Sequence, residues 1–354
     1  MPKESKRRSP LRSGQNRATA ADVARAAGVS VSAVSRAFTP GKSIAQGTKA
    51  RVLRAADALG YQPNPLARGL ITRRSGMVAI LMAEVSNPFY PTVLETFARA
   101  LSAQGKHVML FTPGEDEPLE ALLPRAFGYG VEGVVITSAK LTSEMMSVCA
   151  NAPVPVVLFN RTVEGADVSA VCCDNEAGGR SIARFLVQGG RRRAAFVAGL
   201  EGASTSLYRE RGFAAGLAEA GLPAPLRAQG GFTFDGGLRA ATELLALKTP
   251  PDAIFAANDI MALGVLDGLR RAGGLRVPED VWVVGFDDIA ASAWPSFDLT
   301  TFRQPINRMI AETLRILDLA ESGAPSSPST VLLPGRLIER GSTESAVGAV
   351  REPF

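Results

Sequence analysis

Residues 19–38 read TAADVARAAGVSVSAVSRAF, and the fold of the first part of the chain turns on them. Thr19 is an N-cap candidate, and Ala20 to Ala27 is a run of strong helix formers. Gly28 can adopt the left-handed backbone that closes a helix, and Ser30 can cap a second helix from Val31 to Phe38. Two short helices across a three-residue turn containing glycine make a helix-turn-helix, whose second helix enters the DNA major groove. The competing reading is an ordinary pair of helices inside a larger core. Against it, Val23, Ala24, Ala27, Val29, Val34 and Phe38 suffice only for a miniature core. Val31, Ser32, Ser35 and Arg36 are left exposed, where they can reach bases or phosphates.

A third helix is expected from Gln46 to Leu59, with Val52, Ala55, Ala56 and Leu59 recurring at helical spacing. Asn64 and Pro65 then encode the start of a short helix reaching Leu70. With Gly69 inside it, that helix is too short to be stable alone.

Charge separates this head from the rest. Residues 1–75 hold 15 Lys and Arg against 3 Asp and Glu, whereas the remainder holds 24 against 31. A basic head on a mildly acidic body points to a polyanionic partner for the head alone. The first 18 residues carry Lys6, Arg7, Arg8 and Arg12 without an apolar run behind them, which predicts a disordered basic tail and no secretory signal. No uninterrupted apolar stretch is long enough to span a membrane. The three cysteines, 149, 172 and 173, lack a disulfide spacing and read as reduced core thiols in a cytoplasmic protein.

At 354 residues the chain exceeds one ordinary domain of about 150. From Met77 short apolar runs alternate with helical segments in two series, Val78 to Phe159 and Ala170 to Phe286. This predicts two doubly wound parallel α/β lobes with a cleft between them. The expected organisation is a tail at 1–18, a head at 19–61, a hinge helix and linker at 62–76, a two-lobed body at 77–343 and a loose end at 344–354.

Seven motifs occur in one order: DVARAAGVSVSAVSR at 22–36, LGYQPNPLARGL at 59–70, SNPFY at 86–90, RxxGF at 209–213, ND at 258–259, VVGFDD at 283–288 and LIERGST at 337–343. In this the chain resembles the lactose-repressor family of bacterial transcription regulators over about Thr19 to Thr343. The resemblance implies a head followed by two lobes like those of periplasmic binding proteins. It also implies a homodimer on a pseudo-palindromic double-stranded operator and a small-molecule effector, a sugar or sugar acid, in the cleft. Thr19, Ser30, Val31, Ser32, Ser35, Arg36, Asn64, Ala67, Arg68 and Leu70 are the implied DNA contacts. Among them Val31 and Ser32 fall at base-reading positions, Arg36 at a base or phosphate contact, and Leu70 at the wedge between central base pairs. Gly69 departs from the usual residue there and should weaken the hinge helix by about 0.5–1 kcal/mol relative to alanine. Asn87, Phe89, Arg161, Asp174, Arg209, Phe232, Asn258 and Asp287 are the implied effector contacts. Asp174 is expected after a strand of the second lobe, and Phe232 as an aromatic that stacks on the ligand.

Rival signals are weak. GYGVEG at 128–133 fits GxGxxG but lies between helix and strand, the reverse of a dinucleotide loop. His107 is the single histidine, so neither a histidine triad nor a histidine-rich metal site is encoded. Arg191 to Arg193 reads as a solvated run. No motif calls for a cofactor or for catalysis. A transport-type solute-binding protein and an enzyme on the same body are the alternatives; the basic head and the expected lack of a signal peptide argue against the first. No leucine heptads follow Thr343, so a tetramer is not expected.

Overall fold

The computed structural model describes residues 18–39, 41–62, 75–114, 117–138, 141–272, 275–322 and 327–343. It divides into two compact units at Ser75–Gly76. The expected tail, hinge helix and loose end lie outside the described residues, apart from Ala18, Gln62, Ser75 and Gly76 at their edges.

The first unit holds α1 (Ala20–Ala27), α2 (Val31–Ala37) and α3 (Gln46–Ala58). Thr19 and Asp22 form a reciprocal capping box, Gly28 closes α1 at φ 62°, and the Ser30 hydroxyl accepts from the Ala33 amide at 3.2 Å. Val23, Ala24, Val34, Ala37, Val52 and Ala56 form the core. Phe38 stacks edge-on against Tyr61 at 5.8 Å and closes one side of it. Leu59, expected inside, is 42% exposed and is the C-cap residue beyond the last residue of α3.

The second unit is built on two six-stranded sheets. Lobe 1 contains β1 (Met77–Met82), β2 (His107–Phe111), β3 (Gly133–Thr137), β4 (Val156–Phe159), β5 (Ser169–Cys173) and β11 (Thr330–Leu333), in the order β11-β5-β4-β3-β1-β2 and parallel throughout. Lobe 2 contains β6 (Ala194–Ala198), β7 (Leu226–Gln229), β8 (Ala253–Ala256), β9 (Trp282–Asp287), β10 (Thr300–Arg303) and β12 (Arg336–Ile338), in the order β12-β10-β9-β8-β6-β7. Only the β10–β12 pair is antiparallel. Central strands such as β1 and β9 are buried along their whole length, which is why they read as unbroken apolar runs.

Helices cover both sheets. In lobe 1, α4 (Phe89–Ala103) turns Phe89, Val93, Phe97 and Leu101 inward at helical spacing; α5 (Leu122–Gly128) and α6 (Ser143–Ala150) supply buried Leu122, Leu123, Met145 and Cys149. In lobe 2, α7 (Asn175–Gln188) lies against α8 (Ser204–Glu219), and α9 (Phe234–Leu245) against α10 (Asp259–Ala272). The first of these pairs touches backbone to backbone: a Cβ at Gly179 would strike the Arg209 carbonyl, and one at Gly212 the Glu176 carbonyl.

Three features depart from expectation. Residues 169–173 pair with β4 in lobe 1, so the strand before Asp174 belongs to the first sheet, not the second. Where the alternation of strands and helices in the second series calls for a strand near Phe232, the strand is instead Leu226–Gln229, and Phe232 occupies a turn at φ 60°. Strand β10, Thr-Thr-Phe-Arg, is mostly polar, and β12, Arg-Leu-Ile, is too short for an apolar run to announce it. As a result the chain crosses between lobes three times: after β5, after β10 and after β11. After the second crossing α11 (Ile306–Glu321) packs on lobe 1 against α4, β4 and β5. Lys106 fixes its end, lying 3.1 Å from Asp318 and 2.9 Å from Glu321.

Candidate functional site

In both lobes the strand order reverses beside the first strand, between β2 and β3 around β1 and between β7 and β8 around β6. The loops beyond the carboxyl ends of the strands face each other across the lobes, the place where open α/β sheets bind ligands. The cavity there is lined by Asn87, Phe89, Tyr90, Asn160 and Arg161 from lobe 1 and by Thr205, Arg209, Phe232, Asn258 and Asp287 from lobe 2. Its volume is about 10 Å³, room for about one water molecule, so the lobes are nearly closed on each other.

Each side chain is held by its own neighbours. Asn87 accepts from the Phe89 amide at 3.1 Å, which fixes the turn into α4. Arg161 is 4% exposed and donates to the carbonyls of Ser138 (3.1 Å) and Asn160 (2.8 Å), to the Tyr90 hydroxyl (3.0 Å) and, across the lobes, to the Thr205 hydroxyl (2.8 Å). The Thr162 amide donates to Ser204 Oγ at 3.2 Å, a second link between the lobes.

Arg209 lies over the Phe286 ring at 3.6 Å, donates from Nε to Asn175 Oδ1 at 2.8 Å and from Nη1 to the Ala257 carbonyl, and faces Asp287 at 3.6 Å. Asp287, at φ 127°, is strained for a residue with a side chain. It accepts from Gln304 Nε2 at 2.7 Å, and Gln304 stands at the second crossing. Burial pushes the Asp287 carboxyl up to about 7 against the opposing pull of Arg209. Burial likewise raises the Tyr90 hydroxyl to about 12, although Arg161 works against it. Phe232 donates its amide to Met261 Sδ, and its ring fills the space a side chain at position 199 would need. Asn258 accepts from the Met261 amide at 3.2 Å, while its buried Nδ2 has no hydrogen-bond partner; nor has the buried Oδ1 of Asn160.

Seven of the eight residues expected around an effector line this cavity; Asp174 does not. Its carboxylate caps α7 through the Ala177 amide at 2.9 Å, which follows from its strand lying in lobe 1 at the first crossing. Tyr90, Asn160 and Thr205 also line the cavity and were not anticipated. Tyr90 was in reach, as the last residue of the SNPFY motif, and Asn160 as the neighbour of Arg161.

In the head, Ser30, Val31, Ser32, Ser35 and Arg36 are exposed on one side of α2, with Val31 at 50%. Ser32 Oγ lies 2.9 Å from Ser30 Oγ, and the Thr19 hydroxyl is committed to Asp22 at 2.7 Å. Asn64, Ala67, Arg68 and Leu70 lie outside the described residues. Among the described residues no cluster of His, Cys, Asp and Glu could hold a metal ion, and no helix is long and apolar enough to cross a membrane. Cys172 and Cys173 are buried and unpaired by disulfide, and burial pushes each thiol up to about 12. In the GYGVEG segment Gly128 ends α5 and Gly130, at φ 68°, makes the turn toward β3.

Residues 19–64 match the family described as bacterial regulatory proteins, lacI family, and residues 183–343 match a periplasmic binding protein-like domain. The chain is 35% identical to the HTH-type transcriptional regulator CelR of Thermobifida fusca over 337 residues, 93% of this chain and 99% of that one. It is 31% identical to catabolite control protein A of Priestia megaterium over 327 residues, 91% and 98% of the two chains. The chain belongs to the lacI family. As a lacI-family protein it is a DNA-binding transcription regulator and not an enzyme. Among solved structures, a CelR–cellobiose complex superposes with a TM-score of 0.70 at 33% identity, covering 92% of this chain and all of that one. The lac repressor dimer bound to operator and the anti-inducer ONPF has the same fold, with a TM-score of 0.83 at 24% identity over 92% and 99% of the chains.

Proposed function

We propose that this lacI-family regulator is a cytoplasmic, homodimeric repressor. Two heads bind a pseudo-palindromic operator, and a sugar or sugar acid bound between the lobes controls their grip. The observation that carries the effector reading is the ring of buried polar side chains at the strand carboxyl ends, with Asn160 Oδ1 and Asn258 Nδ2 left unpartnered. A polyhydroxylated ligand supplies both donors and acceptors to such groups, and Phe232 offers a flat apolar face. The similar CelR, solved with cellobiose, supports the ligand class.

The coupling runs through the crossings. Asp287 is tied to Gln304 at the second crossing, and Arg209 to Asn175 at the first. A ligand that competes for Arg209 and Asp287 therefore acts on the segments about which the lobes turn. The free energy passed to the DNA side is typically about 1–3 kcal/mol. In the head, Val31, Ser32 and Arg36 read the major groove, while Leu70 serves as the minor-groove wedge.

The reading is tested by selecting operators from random DNA with the full chain. A pseudo-palindrome bound in a salt-dependent manner, released or tightened by a sugar-type compound, is expected. Leu70→Ala should weaken binding to that operator but leave binding to unrelated DNA near wild type. Equal loss on both would remove the wedge role.

A further inference from the structure

The charges in the cleft do not balance. Arg161 is 4% exposed, and all four of its partners are neutral: two carbonyls and the hydroxyls of Thr205 and Tyr90. Among the described residues it forms no ion pair, whereas buried guanidinium groups ordinarily have a carboxylate. Arg209, the second buried cation, shares the one carboxylate lining the cavity, Asp287, at 3.6 Å. Glu84 acts on Tyr90 electrostatically but does not line the cavity, and it has an interaction of its own.

Several donors are also uncommitted, beside the unpartnered Oδ1 of Asn160. Arg209 Nη2 makes no hydrogen bond to the described residues, and Asn258 Nδ2 is buried without an acceptor. Tyr90 accepts from Arg161 at 3.0 Å, which leaves its own proton to donate. Arg161 Nη2 has one N–H beyond the bond to Tyr90.

Resting on the effector reading above, we propose that the cleft takes an anionic polyol, one whose carboxylate or phosphate group lies against Arg161 and Tyr90, and not a neutral sugar. The anion supplies the counter-charge that Arg161 lacks. The ligand's hydroxyl groups face Asp287 and Asn160 Oδ1, the acceptors that remain. A carboxylate and a phosphate satisfy the same donors; size and charge distinguish them.

The test is thermal unfolding of the full chain with matched compounds at about 10 mM: glucose, galactose and mannose, their aldonates and uronates, and their 6-phosphates. At least one acid or phosphate should raise the unfolding midpoint and bind at least about tenfold more tightly than its neutral parent, the worth of one charge-assisted hydrogen bond. Whether the acids or the phosphates respond tells which anion is held. Binding of a neutral parent as tight as that of its acid overturns the anionic assignment while leaving the effector reading in place. Silence from every compound overturns both. Arg161→Met should abolish the preference for the acid. Because that variant disturbs a buried network, Thr205→Asp provides the second arm: it sets a carboxylate beside Arg161 Nη1 within the first turn of α8. It should keep the ligand-free midpoint at or above wild type and lose the acid response. Retention of that response in Thr205→Asp overturns the proposal.

Discussion

Arg209 Nη1 stands 3.6 Å from Asp287 Oδ1, with the two side chains 2% and 5% exposed. Burial presses on both members, depressing the arginine and raising the carboxyl, and the carboxyl yields because a guanidinium does not titrate in proteins. The pair joins the first turns of α8 to the end of β9 and, through Asn175 and Gln304, to two of the three crossings. It is therefore a load on the fold, tied to two of the segments that join the lobes.

The load has a pH signature. Asp287 titrates near 7 in the folded chain and near 4 when unfolded, so the folded state prefers the protonated form. Its contribution to stability is complete below about pH 4 and is lost as pH rises through about 7. The full difference is about 4 kcal/mol as an upper figure. Asp259, also raised by burial, adds a slope of the same sign. Urea unfolding at steps between pH 4.5 and pH 8 (about half a unit apart) should show wild-type stability falling more steeply than that of Asp287→Asn. Parallel curves would mean that the carboxyl is not the group responsible.

Phe232 is a partly buried wall of the cleft. Its ring occupies the volume above Gly199, where an added Cβ would collide with it. Gly199→Ala should swing the ring aside and weaken effector binding by about 0.5–1.5 kcal/mol, the range of one lost aromatic contact. Operator affinity without effector should stay near wild type. Titration calorimetry with the effector, set beside a gel shift without it, reads the two separately; loss of both would indicate a general disturbance of lobe 2.

How legible all this was in the sequence depended on the kind of residue. The head could be read because capping and turn chemistry are local: Thr19, Gly28 and Ser30 do what their side chains dictate. The buried parallel strands could be read because both faces are apolar. Strands β10 and β12 could not, since Thr300, Thr301 and Arg336 carry no strand-length apolar run and are ordered by tertiary contacts such as Thr300 Oγ1 to Thr343 Oγ1 at 2.7 Å. Asp174 was misplaced for the same reason: nothing local tells which sheet a five-residue apolar strand joins, and a helix cap and a ligand contact use the same residue type. Thr205, a small residue in the first turn of a helix, gave no signal until Arg161 was seen beside it.

Helix packing in lobe 2 supplies a stability test independent of any ligand. At Gly212 a Cβ would run into the Glu176 carbonyl, a backbone atom that cannot rotate away. Gly212→Ala should therefore cost about 3 kcal/mol, the upper end for overpacking, despite alanine's better helix propensity. Gly47→Ala, in α3 of the head, meets nothing within 4 Å and should be neutral or stabilising by about 1 kcal/mol. Chemical denaturation followed separately for head and body checks the contrast. A harmless Gly212→Ala would mean that α7 and α8 can part without loss.

The head itself separates folding from recognition. The Ser30 hydroxyl caps α2 through the Ala33 amide, so Ser30→Ala should lower the stability of the head by about 1 kcal/mol. It should weaken all DNA binding alike, because the frame that presents α2 loosens. Arg36 is exposed in the last turn of α2 with no described partner for its guanidinium. Arg36→Ala should leave the melting of the head unchanged and cost about 1–3 kcal/mol of operator affinity. If Arg36 grips a phosphate, the slope of log affinity against log salt drops by about 1 and discrimination is kept. If it reads a guanine, the slope holds and discrimination relaxes at one position in each half-site. Wild-type affinity and wild-type discrimination together in Arg36→Ala would remove this residue from the DNA interface.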